Sequence, residues 1–316
     1  MAELSNQKPK VIAVVGATAT GKTALGVALC KAIGGEVISA DSMQIYQGLD
    51  VGTAKVSSEE TQGVPHHCVD ILQPNALFSV ADFIDRATQI TTDLTAQQKH
   101  AVLVGGTGQY VESFLKGVRF SKEKPSSDLR DALAKQLAEQ GSEAMYARLC
   151  DLDPEAAVEI HPNNTVRVLR ALEHFDATGR KISAQKANSL PEKPPYDSLV
   201  IGLDFPDRAK LYERINMRVD IMLSQGLLQE AEQVYQNRAQ YITAAQAIGY
   251  KEFFPYFEGS MSLEECVEKL KQASRKYAKR QMTWFRHMEN IVWLDAGAAD
   301  VIAQSVAIAE KFLARG

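Results

Sequence analysis

The chain has 316 residues, of which 45% are apolar, and a formal net charge of −4, so it can bury a large core but carries no global basic field, and any nucleic-acid site has to be local. Its four cysteines, Cys30, Cys68, Cys150 and Cys266, are scattered without a C-x-x-C pair, which argues against zinc or a disulfide framework and for reduced thiols. No apolar run approaches membrane-spanning length, so no membrane role is expected.

Residues 1–10 are polar and lack the apolar core of a signal segment. Residues 11–15 form an apolar run that predicts a buried strand. Gly16-Ala17-Thr18-Ala19-Thr20-Gly21-Lys22-Thr23 then fits G-x-x-x-x-G-K-[ST], the phosphate-binding loop. Leu25, Leu29 and Ile33 carry a helical pattern after it. Strand, glycine loop and helix are what this chemistry needs. The glycines let backbone N–H groups wrap a phosphate with no Cβ in the way, and the helix N-terminus adds partial positive charge. Lys22 adds a full charge, and the Thr23 hydroxyl can hold Mg²⁺. The loop alone leaves open which phosphate compound binds and whether phosphate is transferred, hydrolysed or only held.

Further apolar runs at residues 36–40, 68–72, 101–104, 199–205 and 291–294 predict buried parallel strands. Helical patterns alternate with the early strands, so the expected fold class is α/β: a parallel sheet wound by helices, of the P-loop NTPase type. The alternation breaks after residue 120. There Leu129, Leu133 and Leu137, then Val166, Leu169 and Leu172, keep helical spacing before the connector Pro191-Glu192-Lys193-Pro194-Pro195. The domain reading is a first part of the core at 1–120, a mostly helical insertion at 121–196, and a second part of the core at 197–316 with a long basic helix.

The second strand runs into Ser39-Ala40-Asp41-Ser42. In an open α/β sheet, ligands bind beyond the carboxyl ends of strands, near the point where strand order reverses. Asp41 therefore reads as a general base facing the bound phosphate compound, or as a turn or cap aspartate. His66 and His67 precede a strand, point to opposite sides of an extended chain and lack a partner at metal-ligand spacing, which makes them structural. The strand at 101–104 ends in Gly105-Gly106-Thr107 without the acidic residue an ATPase often uses for Mg²⁺. Thr107 reads as a helix cap or as a substrate contact.

Arg167 and Arg170, three apart in the insertion, are a candidate phosphate contact. Arg214 and Arg218 are four apart and share a helix face, either as a pyrophosphate clamp or as solvated surface. Arg275, Lys276, Lys279, Arg280 and Arg286 form a run with no acid between them and with Tyr277, Trp284 and Phe285 interleaved. Basic side chains track a phosphodiester backbone and aromatic faces stack on unpaired bases. The plainer reading is a solvated helix with its aromatics in the core.

Several of these stretches together resemble the tRNA dimethylallyltransferases (tRNA isopentenyltransferases). They are the glycine loop, Asp41-Ser42-Met43-Gln44-Ile45-Tyr46, Gly52-Thr53-Ala54-Lys55, Gly105-Gly106-Thr107 with Tyr110, and His161-Pro162-Asn163 with Arg167 and Arg170. Downstream come Gln246-Ala247-Ile248-Gly249-Tyr250-Lys251 and Lys279-Arg280-Gln281-Met282-Thr283-Trp284-Phe285-Arg286. The similarity covers nearly the whole chain in the family's order. Val56 stands where the family has proline, which touches only a loop conformation. The zinc finger of eukaryotic members is absent, so the short bacterial type is expected.

The resemblance implies an enzyme that moves a dimethylallyl group from dimethylallyl diphosphate to the exocyclic amine of the adenosine 3′-adjacent to a tRNA anticodon. The glycine loop, Gly16 to Thr23, would hold the leaving diphosphate with Mg²⁺ as cofactor and Thr23 as its ligand. Asp41 would be the base, Thr107 would lie near the reacting adenosine, and Arg218 would stabilise the diphosphate. The adenosine would have to be flipped out of its stack. Implied contacts to the tRNA anticodon stem-loop are Asp41, Ser42, Met43, Gln44, Thr107, Arg130, Val166, Arg167, Val168, Leu169 and Arg170, with the Gln246–Lys251 and Lys279–Arg286 stretches. A cytoplasmic monomer is expected. The alternatives are an adenylate isopentenyltransferase or small-molecule P-loop kinase, which need no RNA grip, and a non-catalytic RNA-binding protein, against which intact Lys22, Thr23 and Asp41 argue.

Overall fold

The computed structural model describes residues 8–120 and 127–315. The polar start over 1–7 and the first residues of the expected insertion, 121–126, lie outside the described residues. The chain divides into two compact units, Met1–Leu115 with Pro195–Gly316, and Lys116–Pro194. Sequence spacing places that division at 121 and 196.

The first unit is built on β1 (Lys10–Gly16), β2 (Gly35–Ser39), β3 (His66–His67), β4 (His100–Gly105), β5 (Asp197–Asp204) and β6 (Ile291–Asp295), in the order β3-β2-β4-β1-β5-β6. Every pairing is parallel. Helices α1 (Lys22–Ile33), α2 (Ser58–Thr61), α3 (Val80–Ala96) and α4 (Gly108–Lys116) accompany the first four strands. Helices α5 (Ser127–Leu152), α6 (Pro154–Glu159), α7 (Thr165–Thr178) and α8 (Ile182–Asn188) make up the second unit. The chain then returns to the sheet with β5, followed by α9 (Arg208–Ser224), α10 (Leu227–Gln236), α11 (Phe254–Phe257), α12 (Leu263–His287), β6 and α13 (Val301–Leu313).

The central strands are buried along their length, which explains their unbroken Val and Ile runs: a parallel sheet needs both faces covered. One apolar layer, including Ile12, Val14, Leu25, Leu29, Val102, Val104, Leu203 and Phe312, seals α1 and α13 against the sheet. A smaller one, Ala17, Ala19, Phe205, Leu211, Ile215, Ala278 and Met282, packs α9 and α12 against the glycine loop itself. Each fully buried Leu, Ile or Phe contributes about 1.5–3 kcal/mol, so the loop is anchored by the core and not by its own turn alone.

The sheet departs from the sequence reading at one strand. Residues 68–72 are not extended, because Cys68 and Asp70 adopt left-handed φ of 61° and 54°. The strand is instead the pair His66–His67, alongside Val37 and Ile38, and Leu72 makes only an isolated bridge to Tyr46. His67 pairs with Glu36 at 2.7 Å, and Lys99 reaches the other oxygen of that carboxylate at 2.6 Å. This strand edge is therefore held by charge-assisted hydrogen bonds.

In the second unit, Leu133, Met145, Leu149, Val168, Ala171 and Leu172 form the core, and α5 is broken at Gly141, whose φ is 81°. Buried Asp153 caps α6 through the Ala156 N–H at 3.2 Å and accepts the Ser183 hydroxyl at 2.7 Å. No described helix in either unit is long and apolar enough to cross a membrane.

Candidate active site

The strand order decides where the site lies. β4 comes after β2 in sequence but sits between β2 and β1 in the sheet, so the carboxyl ends of β2, β4 and β1 are neighbours. They carry Asp41, Thr107 and the glycine loop respectively.

The loop begins where Gly16, with φ 146°, runs so close to β5 that a Cβ there would lie 2.5 Å from the Leu203 carbonyl oxygen. Ala19 takes a left-handed φ of 64°, a conformation that costs a non-glycine residue about 1–3 kcal/mol and persists only when the surroundings enforce it. They do so by holding the loop from several directions. The Thr20 hydroxyl donates to Ala17 O at 2.9 Å, Lys22 Nζ to the same oxygen at 2.5 Å, and Arg214 Nε to Ala19 O at 2.9 Å. The Thr18 N–H donates to Gln281 Oε1 at 2.9 Å. Helix α1 then starts at Gly21 with neither a side-chain cap nor an acid in its first turn. Its N–H groups and positive dipole end are left for an anion.

Asp41 stands beyond β2. Its Oδ1 accepts the Met43 N–H at 2.9 Å and the Gln44 N–H at 3.4 Å, which folds the chain back as an Asx turn. Its Oδ2 has no hydrogen bond among the described residues. Thr107 faces it across the gap between β2 and β4. The Ser42 N–H donates to Thr107 Oγ1 at 3.2 Å, and the Thr107 N–H donates to Ala40 O at 3.1 Å. This closeness is why residue 105 is glycine: a Cβ would lie 2.2 Å from the Ala40 oxygen.

Arg218 reaches the same region from α9. Burial lowers its pKa, Asp41 and Glu60 oppose that, and Arg214 adds to it. Burial and then Arg218 push Lys22 down to about 7, with Asp41 pulling the other way. Two partly buried cations that repel each other, beside a bare helix N-terminus, form a site that an anion would relieve. Of the arginine pair, Arg218 is the one turned toward Lys22, while Arg214 is exposed and braces the loop. The Thr23 hydroxyl has no partner among the described residues. Magnesium keeps several waters and takes one or two protein ligands plus phosphate oxygens, so one free hydroxyl beside an anion cradle fits it.

Two arrangements here escape sequence reading. Tyr277 interacts with the Thr107 and Gln281 side chains, and burial followed by Asp41 raises its phenol to about 12. Its i, i+4 spacing to Gln281 is the one signal that could have placed both on an inward face. Glu230 on α10 accepts the Asp50, Val51 and Gly52 N–H groups at 2.8, 2.9 and 2.8 Å and the Tyr250 hydroxyl at 2.7 Å. It thereby locks the Gly52-Thr53-Ala54-Lys55 loop, and Gln44 Nε2 holds that loop from the other side through Thr53 O and Ala54 O at 3.4 and 3.3 Å. A lone helical glutamate carries no sequence signal for such a role.

The expected RNA contacts divide by burial. On α12, Lys276, Lys279, Arg280, Thr283, Trp284 and Arg286 are exposed, while Gln281, Met282 and Phe285 are buried. Arg280 lies over the Tyr277 ring at 5.5 Å, and Arg286 pairs with Asp204 at 2.7 Å. In the 246–251 stretch, Gln246 and Lys251 are exposed, Ala247 and Ile248 are half-buried, and Gly249 and Tyr250 are buried. In the second unit, Val166, Arg167 and Arg170 share the outer face of α7, Leu169 is half-buried, and Arg130 is taken up by Glu173 at 2.9 Å. Burial withdraws the side chains of Val168, Tyr250, Gln281, Met282 and Phe285 from contact with an outside partner.

The family model described as IPP transferase matches residues 44–288. A tRNA dimethylallyltransferase of Bacillus cytotoxicus is 45% identical over 298 residues, 94% of each chain. One from Geobacillus thermodenitrificans is 45% identical over 305 residues, 96% of each chain. Among solved structures, the full-length tRNA isopentenylpyrophosphate transferase of Bacillus halodurans superposes with a TM-score of 0.73 at 42% identity, covering 97% of both chains. A eukaryotic dimethylallyltransferase acting on tRNA superposes with a TM-score of 0.83 at 31% identity, covering 96% of this chain and 79% of the other.

Proposed function

This chain belongs to the IPP transferase family, and from that premise we propose that it transfers the dimethylallyl group of dimethylallyl diphosphate to the exocyclic amine of the adenosine 3′-adjacent to a tRNA anticodon. The products are N6-isopentenyladenosine in tRNA and free diphosphate. The observation that carries the reading is the placement of Asp41, with one carboxylate oxygen unengaged, within electrostatic reach of Lys22 and Arg218.

The allylic C–O bond breaks as the C–N bond forms. Negative charge grows on the departing diphosphate, where the loop amides, Lys22 and Arg218 receive it with little reorganisation. The adenine amine is a poor nucleophile because its lone pair is delocalised into the ring, so its proton has to leave as the bond forms. Asp41 Oδ2 takes that proton, while Oδ1 stays committed to the Met43 and Gln44 amides and fixes the carboxylate. Thr107, held against Ser42, lines the adenosine side. The Thr23 hydroxyl would hold Mg²⁺, whose charge supplies further neutralisation of the diphosphate.

Extruding the target base from its stack costs a few kcal/mol. Lys276, Lys279 and Arg280 on α12 and Arg167 and Arg170 on α7 offset that cost through phosphate contacts. The reading includes a cytoplasmic enzyme acting as a monomer.

Incubation with dimethylallyl diphosphate and either tRNA or AMP tests the proposal. Prenylated tRNA with unmodified AMP supports it. Prenylated AMP with unmodified tRNA, or transfer of the ATP γ-phosphate to an acceptor, overturns it in favour of the adenylate enzyme or the kinase.

A further inference from the structure

Gln281 lies on the helix whose outer face carries Lys279 and Arg280, yet its own side chain is 6% exposed and points the other way. Its Oε1 accepts the Thr18 N–H at 2.9 Å, and its Nε2 donates to Gly106 O at 3.0 Å. Thr18 belongs to the glycine loop after β1, and Gly106 to the turn after β4 that presents Thr107. One side-chain amide thus spans the two loops that would hold the two substrates. The fit is close: a Cβ on Gly106 would lie 2.1 Å from Gln281 Nε2. The same helix presses Trp284 against Gly108, where a Cβ would lie 2.4 Å from the indole.

We infer that Gln281 is a positioning residue that sets the separation between the diphosphate cradle and the adenosine-side loop, so that α12 holds both from its inner face while its outer face stays free for RNA. The inference rests on the transferase reading above. A half-buried N–H and a buried C=O on separate loops both need partners, and a primary amide is the side chain that accepts from one and donates to the other. Because both bonds come from one planar group, neither loop can shift without straining the other's bond. In-line displacement demands that spacing, since misplacing reacting atoms by about 1 Å costs roughly 100-fold in rate.

The chemistry of the amide provides the test. In Gln281→Glu the ionised carboxylate still accepts from Thr18 but meets the Gly106 carbonyl with no proton to donate. The protonated acid restores both bonds. Single-turnover prenylation of tRNA by Gln281→Glu, divided by the wild-type rate at the same pH, is therefore expected to rise as pH falls through the introduced carboxyl's titration. The wild-type denominator removes any pH dependence common to both enzymes. Gln281→Met, of similar volume but without either bond, is expected to lose about 100-fold at every pH, with tRNA affinity and its salt dependence unchanged.

A pH-independent ratio for Gln281→Glu, or near-wild-type turnover by Gln281→Met, overturns the inference. If Gln281→Met does not fold, the Gln281→Glu ratio alone decides. A wild-type protein that fails to prenylate tRNA overturns the transferase reading instead, so the two failures are distinct.

Discussion

The backbone N–H of Ser42 donates to the hydroxyl oxygen of Thr107 at 3.2 Å, joining the turn after β2 to the turn after β4. The two residues before Ser42 are Ala40, whose carbonyl accepts the Thr107 N–H, and the candidate base Asp41. Thr107 is thus the strut that ties the Asp41 turn to the turn after β4.

Thr107→Val keeps the shape but removes the acceptor of the Ser42 N–H. Turnover is expected to fall at least about tenfold, with a stability loss of about 1–2 kcal/mol. Thr107→Ser is expected to retain most of both. Steady-state rates and urea unfolding check this, and equal defects in the two variants would remove the hydroxyl from the account.

Asp41→Asn preserves an oxygen that can accept the Met43 and Gln44 amides, so the turn stays folded while the base is lost. The expected fall in turnover is about 100- to 10,000-fold, with tRNA affinity close to wild type. Turnover within a few-fold of wild type would show that the proton leaves by another route.

Lys22, held near 7 by burial and by Arg218, should regain its proton when an anion occupies the loop. Diphosphate binding at about pH 8 is therefore expected to take up protons, and affinity should weaken as pH rises further. The free protein shows the opposite trend in stability. A cation with a lowered pKa costs folding free energy when charged, so that cost is full below about 7 and fades toward the ordinary value of 10.5. Calorimetry in buffers of different ionisation heat measures the uptake. Lys22→Met should abolish it, and equal heats in all buffers for the wild type would refute it.

Lys279 is exposed and has no ion pair among the described residues, whereas Arg286 is paired with Asp204 at 2.7 Å. Lys279→Ala is expected to weaken tRNA binding and to flatten the log–log salt dependence by about one unit. Arg286→Ala should flatten it less, because Asp204 already offsets part of that charge. Unchanged salt slopes in binding titrations would place α12 away from RNA.

Glu230→Ala leaves the Asp50, Val51 and Gly52 amides and the Tyr250 hydroxyl without their acceptor. The expected destabilisation is about 3 kcal/mol, with Glu230→Gln intermediate because it keeps one carbonyl oxygen. Urea denaturation midpoints report it. A loss below about 1 kcal/mol would mean that the 50–55 loop is held by Lys55 and Gln44 instead.

The glycine loop, the alternating α/β pattern, the helical character of residues 127–188 and the basic stretch on α12 were all legible in the chain. Each depends on residues close in sequence, where periodicity and glycine spacing act directly on the backbone. The strand expected at 68–72 was not, because apolar content cannot reveal that Cys68 and Asp70 sit at left-handed φ.

What lies far apart in sequence was decided by the fold. The Asp41 turn and Thr107 meet, through Ser42 and Ala40, only because β4 inserts between β2 and β1, a strand order that no local pattern encodes. Gln281 looks like one more member of a basic, RNA-facing run until the packing of α12 against β1 and the glycine loop turns it inward to Thr18 and Gly106. The chain alone determined which chemical groups are present and the short-range backbone of the glycine loop. Long-range burial decided which of those groups face each other, because the rotation of a helix about its axis is set by the surface it covers.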